Sequence, residues 1–154
     1  MKLNEILGKN FIISELSCKD KQGILHELTA FLENKGVIKN KEALFNSLME
    51  REKLSSTGIG ENVAIPHAKS DEVDHIIVVF AVSAEGVDFE SLDQKPVHFV
   101  CLLLAPTNST GLHLKALAHI SRLLKSESLR DGILRTKDTD KIYSILLEEN
   151  SRFI

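Results

Sequence analysis

The sequence predicts an α/β sandwich: a mixed β-sheet with helices on both faces, built as a single domain over residues 1–154. Three observations carry this expectation. Residues 76–82 (IIVVFAV) and 97–104 (VHFVCLLL) are apolar without alternation, the pattern of strands covered on both faces. Segments with apolar residues at helical spacing lie before and after them. The connection 86–96 is too short to hold a crossover helix, which points to an antiparallel central pair in a mixed sheet.

The elements follow in order. Leu3, Ile6 and Leu7 share one side of a short helical turn within residues 1–10, and Phe11, Ile12 and Ile13 form a candidate strand. Asp20 caps a helix that ends at Gly36, a favourable residue just past a helix end. Ile24, Leu25, Leu28, Phe31 and Leu32 form its inner stripe, and His26 falls off it. Asn40 caps the next helix, with Leu44, Phe45, Leu48 and Met49 inward and a charged end from Glu50 to Lys53, where Arg51 lies.

Ser55 to Gly60 reads as a loop, because two glycines and three hydroxyl residues do not sustain a helix. Val63, Ala64 and Ile65 read as a short strand. Pro66 removes a backbone donor and holds Ile65 extended, which places His67 just beyond a strand end, at a loop rim. Gly86 to Pro96 reads as a loop with a turn at Leu92–Lys95. The segment 105–111 is a loop ending in cap-type residues. A helix from about Leu112 to Lys125 follows, with Leu114, Leu117, Ala118, Ser121 and Leu124 on its inner face and His113 in its first turn. Helices at Ser128–Arg135 and Thr139–Glu149 close the chain, the last with Ile142, Ile145 and Leu146 inside.

Composition excludes several classes. The net charge is -3, with one Tyr and no Trp, so neither a basic surface nor stacking aromatics for nucleic acid are expected. No apolar run approaches the ~20 residues that span a bilayer, and the N-terminus lacks a signal-peptide core. Cys18 and Cys101 lie far apart in apolar surroundings, as reduced thiols of a cytoplasmic protein would.

Six histidines are the candidate chemistry: 26, 67, 75, 98, 113 and 119. His67 stands out. It follows a backbone-fixing proline, lies at a strand end where sites of α/β folds gather, and comes after a Gly-rich loop whose N–H groups suit an anion. Gly58-x-Gly60 alone is weak, since it is neither a Walker sequence nor a dinucleotide fingerprint. His113, in a helix's first turn, meets unpaired N–H groups and a partial positive charge that favour its neutral form and a nearby anion. His98 reads as a hydrogen-bonded core histidine and His75, beside Asp74, as exposed. His119 sits about 240° round the helix from His113, so the two share no face. No zinc spacing is present, and no metal site is expected. Cys101 reads as packing.

The stretches REKLSSTGIGENVAIPHAKSDEV and GVDFESLDQKPVHFVCLLLAPTNSTGLHLKALAHISRLL resemble the type-2 enzyme IIA proteins. These form the fructose/mannitol and nitrogen-regulatory class of the bacterial phosphoenolpyruvate-dependent phosphotransferase system. The resemblance covers nearly the whole chain, and its S-T-G-x-G…A-I-P-H element is highly specific. It implies that His67 accepts a phosphoryl group from the small histidine-containing phosphocarrier protein. It also implies that His113, opening the H-L-x-x-L-A helix, lies beside it, and that Arg51, sixteen residues earlier, is placed near the phosphate.

The expected chemistry follows. A neutral imidazole nitrogen of His67 attacks phosphorus, and positioning and charge carry the rest. Arg51 supplies positive charge, His113 bonds phosphate oxygens, and the loop residues Ser56, Thr57, Gly58 and Gly60 supply donors. No metal or cofactor is required. Two functions compete. One is a phosphocarrier that passes phosphate to a sugar-specific IIB domain. The other is a nitrogen-regulatory protein whose phosphorylation state controls binding to regulatory partners. A structural protein that has lost its chemistry is disfavoured by intact Arg51, His67 and His113.

Overall fold

A computed structural model describes residues 2–152. The element order is α1 (Leu3–Ile6), β1 (Ile12–Ile13), α2 (Lys21–Asn34), α3 (Lys41–Leu54), β2 (Gly58–Gly60), β3 (Val63–Ala64), β4 (His67–Lys69), β5 (Ile77–Val87), β6 (Val97–Ala105), α4 (Thr110–Leu124), α5 (Glu127–Leu134) and α6 (Thr139–Ser151). The strands form one six-stranded sheet in the order β1-β5-β6-β3-β2, with β4 also paired to β6. β5 and β6 are antiparallel, whereas β1 runs parallel to β5, and β3 and β4 run parallel to β6. The mixed sheet with an antiparallel centre is the one the sequence predicts.

Both faces of the sheet are covered, which is why its central strands lack alternation. Val78, Phe80, Phe99, Cys101 and Leu103 pack against α4, α5, α6 and α1 through Ile120, Leu123, Ile133, Ile142 and Leu3. Val79, Ala81, Val100, Leu102 and Leu104 pack against α2 and α3 through Ile24, Leu28, Leu32, Leu44 and Leu48. Each fully buried Leu or Ile contributes about 1.5–3 kcal/mol from leaving water, before conformational entropy is subtracted.

The caps of α2 and α3 behave as expected, whereas the cap-type residues before α4 make no side-chain cap bond. The Asp20 carboxylate accepts from Gly23 N, the Asn40 side chain accepts from Ala43 N, and Gly36, at φ 76°, turns the chain after α2. The turn between β5 and β6 sits one residue earlier than expected: Gln94 N donates to Ser91 O, and Gln94 itself has φ 62°.

Three local expectations are corrected. Gly58 to Gly60 is a strand, paired antiparallel with β3, and not loop. A two-residue turn at Glu61-Asn62, both at positive φ, joins them, which is the geometry a tight hairpin demands. Second, His67 does not stand beyond a strand end. Val63 and Ala64 pair with Phe99 and Val100, and His67, Ala68 and Lys69 pair with Leu103, Leu104 and Ala105. The offset is the same in both halves, so β3 and β4 are one strand in one register, interrupted at Ile65-Pro66. Pro66 cannot donate, but its carbonyl accepts from Leu103 N and keeps the strand on the ladder.

Third, α4 is rotated from the expected setting. Its buried residues are His113, Ala116, Ile120, Leu123 and Leu124, while Leu114 is 62% exposed. Leu124 is buried and Leu117 packs partly against the core, as expected, whereas Leu114 and Ala118 are exposed, because this helix carries leucines on two sides.

Candidate functional site

The continuous β3–β4 register decides where His67 points. Side chains alternate across a strand. Val63 and Ile65 enter the core on the α4 face, and Ala64 and Ala68 enter the core on the α2/α3 face. His67 and Lys69 therefore both face α4, next to the carboxyl end of β6, from which the chain turns into α4. Crevices at the carboxyl ends of parallel strands are where open α/β sheets place their chemistry.

Three elements converge there. A cleft of about 400 Å³ is lined by Ser47 and Arg51 of α3, by His67 to Lys69 of β4, and by Thr110, His113, Leu114 and Leu117 of α4. A larger cleft, about 530 Å³, lies along Gly86–Pro96 and contains no histidine or cysteine. β2 pairs with β3 and leaves the outer edge of β4 without a strand, so Arg51 reaches His67 from the opposite helical layer.

The His67 ring is held at both nitrogens. Nδ1 lies 2.9 Å from the carbonyl of Ile65. A carbonyl only accepts, so Nδ1 carries the proton and Nε2 keeps its lone pair. Arg51 Nε–H donates to that lone pair at 3.2 Å, while Arg51 Nη1 donates to Ser55 O at 3.1 Å. Burial disfavours the charged ring and lowers its pKa below the ordinary histidine value. The bond to Ile65 opposes this shift, Arg51 adds to it and Glu52 opposes it. The half-buried ring is thus held neutral, with the lone pair of its nucleophilic nitrogen covered at rest by Arg51.

His113 stacks edge-on to His67, with ring centroids 5.3 Å apart. It is 7% exposed, and its Nε2 has no hydrogen-bond partner among the described residues. Burial, then the neighbouring His67 and Lys69, lower its pKa. A buried nitrogen without a partner is costly unless something fills the cleft beside it.

The structure therefore brings Arg51, His67 and His113 together. Ser56, Thr57, Gly58 and Gly60 are not among the residues that line the cleft, although the Thr57 carbonyl accepts from Ile65 N beside His67. Their polar groups are engaged elsewhere. Thr57 N and Oγ1 both donate to the Glu52 carboxylate, Gly58 N donates to Ser56 Oγ, and Ser56 Oγ donates to Phe89 O. Gly58 is there for close packing: a Cβ would fall 2.8 Å from Ser91 Cβ and 2.9 Å from its Cα.

Sequence reasoning missed Lys69, Thr110 and Glu52. Lys69 was readable from period-two alternation, had the strand been continued through Pro66. Thr110 depended on the true start of α4. Glu52 is buried, accepts both Thr57 bonds and pairs with buried Lys21 at 3.0 Å, a tertiary contact with no local signal.

The other histidines have ordinary partners. His98 Nδ1 bonds Ser83 O at 2.8 Å, exposed His26 stacks on Phe45, His75 pairs with Asp74, and His119 bonds Asn150. Cys18 and Cys101 are free thiols, and burial pushes the Cys101 thiol up to about 12. Among the described residues, no His, Cys, Asp and Glu group is arranged to hold a metal, and no helix is long and apolar enough to cross a membrane.

A neutral, tautomer-fixed imidazole flanked by two cations and a second histidine is a nucleophilic site adapted to an anionic electrophile. Comparison with known proteins gives the class a family: the chain belongs to the phosphoenolpyruvate-dependent sugar phosphotransferase system EIIA 2 family, matched over residues 5–149. It is 37% identical over 146 residues to the PTS system fructose-specific EIIABC component of Bacillus subtilis, covering 95% of this chain but 23% of that relative. It is 39% identical over 147 residues to a nitrogen regulatory protein of Bradyrhizobium diazoefficiens, covering 95% of each. The crystal structure of nitrogen regulatory protein IIA-Ntr from Neisseria meningitidis superposes with a TM-score of 0.85 at 31% identity, over 94% of this chain and 98% of that one.

Proposed function

We propose that this chain is a cytoplasmic phosphocarrier, residues 1–154 acting as one domain. It accepts a phosphoryl group on His67 from the histidine-containing phosphocarrier protein and passes it to a sugar-specific IIB domain. The observation that carries the reading is the fixed tautomer of His67. Its Nδ1 proton is held by Ile65 O, so Nε2 is the atom that attacks. The lone pair forms the new N–P bond as the donor's N–P bond breaks, and the donor ring takes back its electron pair. Arg51 moves from the lone pair to the phosphoryl oxygens, and the partnerless Nε2 of His113 gains a phosphate oxygen to bond when it carries a proton.

The second reading is a nitrogen-regulatory protein whose phosphorylation state controls its binding to regulatory partners, with no sugar moved. The likeness to the Bradyrhizobium protein over 95% of both chains favours it.

Incubation with phosphoenolpyruvate, enzyme I and the small phosphocarrier, followed by phosphohistidine mapping, tests the shared core. Label on Nε2 of His67 is expected; label on another residue overturns it. Chasing that label onto purified fructose or mannitol IIB domains separates the readings, since only the first requires the phosphate to leave for IIB.

A further inference from the structure

We propose that Lys69 is a phosphate-binding residue of this site, resting on Thr110 in the unphosphorylated protein and transferring its ammonium to the phosphoryl group on His67. The inference rests on the reading of His67 as phosphoacceptor. Three observations support it.

Lys69 is two residues beyond His67 on the same strand, so its side chain leaves the same face and lines the same cleft. Its Nζ donates to Thr110 Oγ1 at 2.6 Å; the lining of the His67 cleft holds no carboxylate, and Asp71 and Glu72 lie along the neighbouring cleft that Lys69 also borders, engaged with Thr107 Oγ1 and with the amides of Lys39 and Asn40. A lysine held over a cleft by a neutral hydroxyl has a weak partner that a dianionic group displaces.

Thr110 is the first residue of α4, and that helix start is uncapped. The Ser109 hydroxyl donates backwards to Pro106 O and no side chain accepts from the first turn. The amides of Thr110, Gly111 and Leu112 therefore lack intrahelical acceptors. A Cβ at Gly111 would meet nothing within 4 Å, so space beside this turn is open.

The buried Nε2 of His113, without a hydrogen-bond partner among the described residues, supplies the independent sign of a ligand at this helix end. Lys69, the first residue of α4 and His113 thus line the same cleft as Arg51. Lys69 would give the phosphoryl group a second cation.

The test uses phosphoramidate, a small phosphoryl donor that removes any partner protein from the measurement. The His67 Nε2–P bond forms as the P–N bond of phosphoramidate breaks, its electron pair leaving on ammonia, while the Nδ1 proton stays in place. Wild type, Lys69→Gln, Lys69→Arg and His67→Ala are compared for labelling rate and for the lifetime of the isolated phosphohistidine. Urea midpoints establish that all remain folded.

Lys69→Gln should label ~10-fold more slowly, as loss of one charge-assisted contact to a transferring group predicts, and Lys69→Arg should recover most of the rate. Equal rates and lifetimes in wild type and Lys69→Gln would overturn the assignment of Lys69 while leaving His67 as acceptor. A defect seen with the phosphocarrier protein but absent with phosphoramidate would also overturn it, and would place Lys69 in partner docking. Label in His67→Ala equal to wild type would remove both the inference and the reading beneath it.

Discussion

Arg51 Nε donates to His67 Nε2 across 3.2 Å, so the resting guanidinium covers the one lone pair that can attack phosphorus. Attack requires this bond to open, and the displaced arginine then faces the incoming negative charge. Substitution of Arg51 therefore has two opposed effects, a freer nucleophile and a weaker hold on the phosphoryl group. The second dominates, because phosphoryl transfer depends chiefly on charge and position.

Arg51→Gln should slow phosphorylation of His67 by roughly 10²-fold, the scale of losing one preorganised donor. Arg51→Lys should recover only part, since an ammonium cannot reproduce the fork that bonds both His67 and Ser55 O. Initial labelling rates measure both. Faster labelling in Arg51→Gln would show that covering the lone pair outweighs charge.

His67→Ala should abolish labelling. His113→Ala should leave some label on His67 at a rate reduced by roughly 10–100-fold, because His113 contacts oxygens and not phosphorus. Quench-flow labelling with residue mapping distinguishes the two variants.

Both rings should titrate below the ordinary histidine value, chiefly because burial disfavours their charged forms. Between the ordinary value and the lowered folded value, the unfolded chain binds protons that the folded chain does not. Stability therefore holds at pH above the ordinary histidine range and declines as pH falls through it toward the folded values. Following the ring signals by NMR, with urea midpoints across the same range, checks the sign. Midpoints that rise on acidification would contradict it.

Glu52→Ala leaves buried Lys21 without its carboxylate and frees both donors of Thr57. Loss of about 3–5 kcal/mol is expected from breaking a buried pair in this way. Replacing both residues by apolar ones, Lys21→Met with Glu52→Leu, should restore part of that loss. Urea unfolding of the single and double variants measures it.

Gly58→Ala should cost about 1–3 kcal/mol, the usual range for an overpacked site, because the added carbon meets the Ser91 Cβ and Cα. Its thermal midpoint should fall, and labelling of the folded fraction should continue, since Gly58 is outside the cleft. Loss of labelling without loss of stability would return this glycine to the phosphate site.

The α/β layering was legible because long apolar strands and capped helices are local signals. Asp20, Asn40 and Gly36 each act through a turn of chain next to them. The trio Arg51, His67 and His113 was legible through the resemblance, whose motif residues the fold gathers in one cleft. What escaped were relations between distant segments. Nothing near Thr57 says that its amide meets Glu52, or that Ser91 closes over Gly58. The facing of α4 was misread because leucines occupy both its buried side and the rim of the cleft. Leu114 and Leu117 stand at that rim while Ala116 and Ile120 go inward.

The single register shared by 63–64 and 67–69 also makes the reactive ring's address a matter of parity. Deleting or inserting one residue between Val63 and His67 would swing the imidazole through the sheet toward Leu48 and the α2/α3 layer, away from His113 and the cleft beside α4. Adding two would restore the side yet slide the ring about 7 Å along the ladder. The span Val63–His67 is thus a ruler whose length matters as much as its composition, and drift in length should be tolerated in the 106–109 or 135–138 connections before it is tolerated there.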